Sequence, residues 1–285
     1  MASTAAQMAQ SQDDRMSKRN FERLSAFIYR YSGIKMPPSK HTMLEGRLRR
    51  RLRSTKLPTF DTYCDYLFDG GGMESELVHL VDAVTTNKTD FFREPKHFDY
   101  MRDVALPAIR ATGVRTIRAW SSACSTGAEP YTMAMLLEEF IQQHRDASYE
   151  ILATDLSTDV LGKARMGIYP AELSDPIPDA MRQRYILKAA NASRRDVRVA
   201  PLLRSRVGFA RLNLMDARYD VGQPMHMIFC RNVLIYFDKK TQGEVLHRLC
   251  DCLVPGGYLF IGHSETIAGL NLPVRSVANT VFQRN

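Results

Sequence analysis

The chain has 285 residues, 45% hydrophobic and 25% charged, with a formal net charge of +8; that length allows a main domain plus a smaller one, with a sizeable core. Its longest apolar runs, such as VLIYF, are far too short to cross a bilayer, so no membrane insertion is expected. Five cysteines (Cys64, Cys124, Cys230, Cys250 and Cys252) have neither C-x-x-C spacing nor a nearby histidine pair, which argues against zinc, any other metal centre and a disulfide framework.

Residues 1–17 are rich in Ala, Gln, Ser and Asp and lack an apolar segment after a basic start, so they read as a disordered, solvated tail and not as a secretion signal. A cytoplasmic, monomeric protein is expected. From 18 to 85 apolar residues return every three or four positions (Phe21, Leu24, Phe27, Ile28; Leu44, Leu48, Leu52; Leu77, Leu80, Val81), which predicts a small helical domain. Within it, MLEGRLRRRLRSTK sets its leucines on one stripe and spreads Arg47, Arg49, Arg50, Arg51 and Arg53 over the rest. So many arginines without an intervening acid exceed what solubility needs, and they favour a docking patch for an acidic surface over a merely solvated face.

A linker over 86–112 leads to a main domain over 113–285. There, TIRAW, YEILATD, RVGFARLNL, MHMIFCRN and GGYLFIGHS read as strands, and helical patterns such as EPYTMAMLLEEFIQQ and TQGEVLHRLCDCL lie between them. This alternation predicts an α/β domain with a parallel sheet. One stretch, about 168–206, breaks it: several prolines, DAMRQRY, and then ILKAA and DVRVAPLL around NASRR read as a small antiparallel insert between the second and third core strands.

The run SSACSTGAEP follows the first strand. Ligands of open parallel sheets settle at the carboxyl ends of strands, and small side chains there clear a floor for a close backbone approach. A single glycine disfavours a dinucleotide pyrophosphate. Asp155 ends the second strand, where a carboxylate accepts both hydroxyls of a ribose; Asn213 and Leu214 follow the third strand, where an amide and an apolar face suit an adenine edge. Each has a blander reading. Asp155 is a good helix N-cap, Glu129 a dipole-favoured first-turn acid, and Asn213 an ordinary loop asparagine.

Taken in order, TTNKTDFFREPKHF, WSSACSTGAEPYTMAM, ATDLSTDVLGKARMGIY, LNLMD, FCRNVLIYFDKKTQ and LVPGGYLFIGHSE resemble the CheR-type chemotaxis receptor methyltransferases over nearly the whole chain from about Phe21. The resemblance implies a Rossmann-like S-adenosylmethionine-dependent methyltransferase sheet preceded by an all-α receptor-docking domain. It implies methyl transfer to glutamate side chains of chemoreceptor cytoplasmic helices, with S-adenosylhomocysteine as product. It further implies that Asn87, Thr89 and Arg93, Glu129, Asp155, Asn213 with Leu214, and Asn232 with Val233 surround the cofactor, and that Arg47, Arg49, Arg50 and Arg53 face the receptor. Without it, NKTDFFR would read as a linker with Phe91 or Phe92 in the core. Some members dock a receptor C-terminal peptide through a glycine-bearing turn in the insert. The turn here, KAANASRRD, has no glycine, so such a peptide is expected to bind weakly or not at all, although Asn191 tolerates positive φ better than most residues.

A glutamate acceptor is ionised at neutral pH, with a pKa near ~4.3, and needs no general base. Arg93 is the candidate to guide it and Tyr236 the candidate to offer it a hydroxyl. Their alternatives are a surface ion pair of Arg93 with Glu94 or Asp90, and a core tyrosine. His263 reads as a structural histidine and Cys124 as a floor residue. A nucleic-acid methyltransferase would want an N/D-P-P-aromatic turn where CRNVLIYF stands, so no nucleic-acid partner is expected; a non-catalytic cofactor sensor would lack Arg93 or Tyr236.

Overall fold

The computed structural model describes residues 15–191 and 193–285. The chain divides into two units, Met1–Thr86 and Asn87–Asn285, and each has its own hydrophobic core.

In the first unit Ser17 caps helix α1 (Lys18–Ser32) by accepting the Asn20 N–H, and Gly33 ends it in the left-handed conformation. Positions 1–14 of the expected tail lie outside the described residues, but its last two are built into the fold. Met16 is 3% exposed and donates its N–H to Glu45 at 2.8 Å. Asp61 accepts from Ser17 N, Ser17 Oγ and Asn20 Nδ2 at 3.0, 2.9 and 2.8 Å. Helices α2 (His41–Thr55), α3 (Phe60–Phe68) and α4 (Met73–Val84) complete the unit. Leu24, Ile28, Leu44, Leu48, Leu52 and Leu80 are buried as the three-four spacing predicts, joined by Phe60 and Tyr63 of α3. Leu77 is only half-buried, and its neighbour Glu76 takes the inward position. That buried carboxylate is matched by Arg51, through Nε at 3.0 Å and Nη2 at 2.7 Å, and by the Tyr63 hydroxyl at 3.0 Å.

The second unit begins with α5 (Pro95–Tyr100), which runs through a π-helical stretch, Met101–Ala105, into α6 (Leu106–Ala111). Then come β1 (Thr116–Ser121), α7 (Ala128–Gln143), β2 (Ser148–Asp155) and α8 (Thr158–Met166). The insert holds β3 (Ile168–Pro170), α9 (Asp179–Tyr185), β4 (Ile186–Lys188) and β5 (Asp196–Val199). After α10 (Pro201–Arg204) the core resumes with β6 (Val207–Arg211), β7 (Met225–Cys230), α11 (Lys239–Asp251), β8 (Leu253–Ile261), β9 (Val274–Ala278) and β10 (Val281–Arg284).

The main sheet runs β6-β2-β1-β7-β8-β10-β9. It is parallel from β6 to β8 and antiparallel across β8, β10 and β9. The insert forms a separate antiparallel sheet, β3-β5-β4. The final hairpin was not foreseen, because VRSVANTVFQR carries no glycine turn; Thr280 takes the left-handed conformation instead. Strand order reverses between β1 and β7, so the crevice at their carboxyl ends is the switch point where ligands of such sheets bind. The wall beneath it is aromatic: Phe229 stacks on Phe260 at 4.2 Å and on Phe98 at 5.7 Å. Among the described residues no helix is long and apolar enough to cross a membrane.

Arg51→Met strands Glu76 in the helical unit's core. It should cost about 2 to 3 kcal/mol in denaturant unfolding, at the lower end for a broken buried pair because Arg51 keeps 16% exposure. Adding Glu76→Leu should recover much of that loss; an Arg51→Met protein as stable as the parent would contradict the account.

Candidate functional site

The loop after β1 is held from both neighbouring strands. Ser122 donates its N–H and hydroxyl to Phe229 O of β7 at 2.9 and 3.1 Å, and Cys124 donates its N–H to Thr154 O of β2 at 2.8 Å. Trp120 closes the base with Nε1 on Thr154 Oγ1 at 2.9 Å. The loop's glycine is required twice over. Gly127 has φ +94°, and a Cβ there would lie 2.9 Å from Ala164 Cβ and 3.0 Å from the Tyr169 hydroxyl. Burial pushes the Cys124 thiol well above its usual range, which leaves it protonated and makes it a floor residue.

Asp155 stands at the β2 tip. It accepts the Ser125 N–H on Oδ2 and the Ser157 N–H on Oδ1, both at 2.9 Å. It is not the cap of α8, because Ser157 fills that position and accepts the Val160 N–H. Two backbone donors, one on each oxygen, therefore fix the carboxylate in direction. Ser125, at φ +50°, also donates its hydroxyl to Asn87 O at 2.8 Å, so Asn87 and Asp155 meet across one serine.

A second network carries the other side of the crevice. Glu129, in the first turn of α7, accepts the Ser121 hydroxyl on Oε1 at 2.7 Å and Arg231 Nη1 on Oε2 at 2.9 Å. Arg231 has a side chain only 2% exposed. Its Nη2 donates to Glu94 Oε2 at 3.0 Å and to the Arg93 carbonyl. Glu94 Oε1 accepts Asn232 Nδ2 at 3.1 Å. Glu265 accepts the N–H groups of Gly262, Asn232 and Leu234 at 2.5, 3.1 and 2.7 Å. Gly262 leaves room for this clasp, since a Cβ there would come within 2.6 Å of Asn232 Nδ2. Burial pushes the Glu265 carboxyl up despite these bonds.

The remaining expected residues sit around these two networks. Arg93 is half-buried, with Nη1 on Lys88 O at 3.1 Å; its neighbour Glu94 turns to Arg231 and is not its partner. Thr89 lies half-buried between Asn87 and Arg93. Asn213 follows β6 next to Asp155, whose carbonyl accepts the Leu212 N–H at 3.1 Å; its Oδ1 accepts the Met215 N–H at 3.0 Å, closing a turn. Leu214 is 6% exposed. Val233 precedes the 3-10 turn Leu234–Tyr236, which carries Tyr236, half-buried against the β7–β8 core. Phe91 is a core residue at 1% exposure, and Phe92 is half-buried at φ +52°.

Glu94, Arg231 and Glu265 were not singled out in the sequence. A charged residue ending an all-buried strand, as Arg231 does after MHMIFC, was the available signal. Glu94, His97 and His263 hold ligand-type atoms within 4.8 Å of one another, but the Arg231 guanidinium on the same Glu94 oxygen opposes a cation there. Burial, helped by the Arg231 charge, lowers His97 to about 4. His263 gives its backbone N–H to Glu94 at 3.3 Å.

In the helical unit the arginines divide. Arg49, Arg50 and Arg53 are exposed, with Arg49 lying 5.7 Å from the Phe60 ring centroid. Arg47 does not belong to that outer face: its guanidinium binds the Val84 and Thr85 carbonyls and Thr86 Oγ1, closing the C-terminus of α4. In the insert turn Asn191 is not left-handed. Its Oδ1 instead accepts Ser193 N and Oγ at 3.0 and 2.8 Å; Ala192 lies outside the described residues.

Residues 19–85 match the model of the CheR methyltransferase all-alpha domain, and residues 87–282 match that of the CheR methyltransferase SAM binding domain. The chain is 38% identical over 280 residues to chemotaxis protein methyltransferase 2 of Pseudomonas aeruginosa, covering 98% of each. It is 35% identical over 275 residues to the chemotaxis protein methyltransferase of Borreliella burgdorferi, covering 95% of each. With that of Escherichia coli it shares 39% over 267 residues, covering 94% of this chain and 91% of the relative.

The network also sets a pH response. Burial pushes the Glu94 carboxyl up, but the Asn232 hydrogen bond and the Arg231 charge outweigh it and hold it below its ordinary 4.5. With the folded value below the unfolded one, this stabilisation is complete above about pH 4.5 and is lost as pH falls through the folded value. Glu265, raised, works in the opposite sense, so the informative comparison is with Glu94→Gln. That variant should lose stability less steeply below about pH 5 in thermal melts; an acid limb identical to the parent's would count against Glu94 as the buried anion.

Proposed function

The chain belongs to the CheR methyltransferase family, and from that premise we propose that it transfers a methyl group from S-adenosylmethionine to glutamate side chains on the cytoplasmic helices of chemoreceptors. The observation that carries this reading is the oriented Asp155 carboxylate beside a small-residue floor at the switch point of the sheet. Two backbone donors aim it, and a carboxylate at the tip of the second strand suits the vicinal hydroxyls of a ribose. Gly127 lets the floor pack directly on Ala164 and Tyr169.

Bound S-adenosylmethionine supplies a methyl carbon made electrophilic by a sulfonium. Asn87, Thr89, Arg93, Glu129, Asp155, Asn213, Leu214, Asn232 and Val233 are the residues proposed to surround it. The acceptor glutamate is already a carboxylate at neutral pH. Its oxygen forms the new bond to carbon as the carbon–sulfur bond breaks, the electron pair returns to sulfur, and no proton moves. Catalysis then reduces to alignment, which is worth on the order of 7 to 11 kcal/mol. The planar fork of Arg93 suits the incoming carboxylate, and Tyr236, on the turn just after Val233, offers a hydroxyl. Neither the nucleic-acid nor the sensor reading is favoured by the family. For the receptor, the exposed Arg49, Arg50 and Arg53 give α2 a positive face complementary to an acidic methylation helix.

Three outcomes are expected. Asp155→Ala should weaken S-adenosylmethionine binding about ten-fold or more in calorimetric titration, the loss of a charged acceptor costing about 1.5 to 3 kcal/mol; unchanged affinity would remove Asp155 from the ribose. Radiolabelled methyl transferred to receptor should be released as methanol by mild alkali, as esters allow and N-methyl groups do not. Reversing Arg49, Arg50 and Arg53 to glutamate should depress receptor methylation and flatten its salt dependence, since screening acts over about 8 Å. The same protein should bind cofactor normally, because these residues lie in the other unit.

A further inference from the structure

We propose that Arg231 is a positioning residue for methyl transfer, a buried guanidinium that sets the cofactor-facing geometry of Glu129 and of the segment carrying Arg93. The inference rests on the methyltransferase reading above and adds to it a residue outside the proposed cofactor shell.

The argument begins with burial. At 2% side-chain exposure, Arg231 has given up its hydration, and what replaces it comes from two other parts of the chain: Glu129 Oε2 at 2.9 Å from α7, and Glu94 Oε2 at 3.0 Å together with the Arg93 carbonyl from the segment before α5. Its carbon face lies against the Phe98 ring, 5.3 Å from the centroid. One rigid fork thus joins the loop after β7, the first turn of α7 and the Arg93 segment. A lysine has the charge but not the plane, and cannot hold both carboxylates and the carbonyl in one geometry.

A purely stabilising role explains this poorly. Well-packed apolar side chains of similar volume generally do as well as a buried ion pair, and here two carboxylates share one guanidinium, which leaves a negative charge unbalanced within the triad. The segments it joins also carry unfavourable backbone: Phe92, Glu94 and Asn232 have φ of +52°, +56° and +58°. Such conformations in non-glycine residues gather where a site's geometry is imposed by its surroundings. Glu129 has one oxygen on Ser121 and the other on Arg231, so the guanidinium decides which way its remaining lone pairs face.

The full chain would be titrated calorimetrically with S-adenosylhomocysteine, with thermal unfolding measured alongside. Arg231→Lys should bind about ten-fold more weakly with its unfolding midpoint changed by only a few degrees. Because the effect passes through Glu129, Arg231→Lys combined with Glu129→Gln should bind no more weakly than the weaker of the two single variants. Parent-like affinity in Arg231→Lys, or losses that simply add, would overturn the proposal. Should Arg231→Lys not fold, Glu94→Gln carries the test: it withdraws one of the two carboxylates and leaves Glu129 in place. A several-fold loss of affinity is then expected, and none would overturn the idea. If the parent chain itself fails to bind, or Asp155→Ala binds as well as the parent, the methyltransferase reading has failed. Normal behaviour of those two, with intact binding in the Arg231 and Glu94 variants, defeats only this inference.

Discussion

A guanidinium with 2% of its side chain exposed, set between the carboxylates of Glu94 and Glu129, is the constraint around which the crevice is arranged. Removing either kind of partner from such a group leaves a desolvated charge, at about 3 to 5 kcal/mol for a fully buried pair. The segments bearing these residues are therefore not free to relax separately. Strand β7 delivers Arg231 at its carboxyl end, α7 delivers Glu129 in its first turn, and the chain before α5 delivers Glu94 from a left-handed residue. Asn232, also left-handed, is held on one side by Glu94 and on the other by Glu265.

The Asp155 side of the crevice is built differently. Asp155 accepts the backbone N–H groups of Ser125 and Ser157, one on each carboxylate oxygen. Small residues make this possible: Ser125 reaches both Asp155 and Asn87, and Gly127 lets α7 start close to Ala164 and Tyr169. The parallel sheet supplies the common frame, since the loops after β1 and β7 leave adjacent strands and the first is tied to strand β7 through Ser122 and Phe229.

The helical unit shows how one arginine-rich helix serves two purposes. Arg47 and Arg51 are turned inward, one closing the end of α4 and the other neutralising Glu76. Arg49, Arg50 and Arg53 are left outside. The positive face is thus narrower than a count of arginines suggests, and it lies on the exposed side of a helix anchored by Leu44, Leu48 and Leu52.

Much was legible from the residues alone, for reasons local to the chain. Apolar spacing of three and four gave the helical unit, alternation of strands and helices gave the parallel sheet, and prolines with a polar turn gave the antiparallel insert, because these patterns reflect which face of each element must leave water. The small-residue run and the acid at the β2 tip marked the crevice for the same reason: loop chemistry after a strand is written in consecutive residues. Tertiary structure alone decided which charges meet. Glu94 and Arg231 are 137 positions apart and Glu129 and Arg231 are 102 apart, and no periodicity links them. Whether Glu94 paired with its neighbour Arg93 or with Arg231, whether Asp155 or Ser157 capped α8, and which arginines of α2 faced inward each depended on burial. A charge taken out of water must find its partner wherever the fold brings one, whatever its distance along the chain.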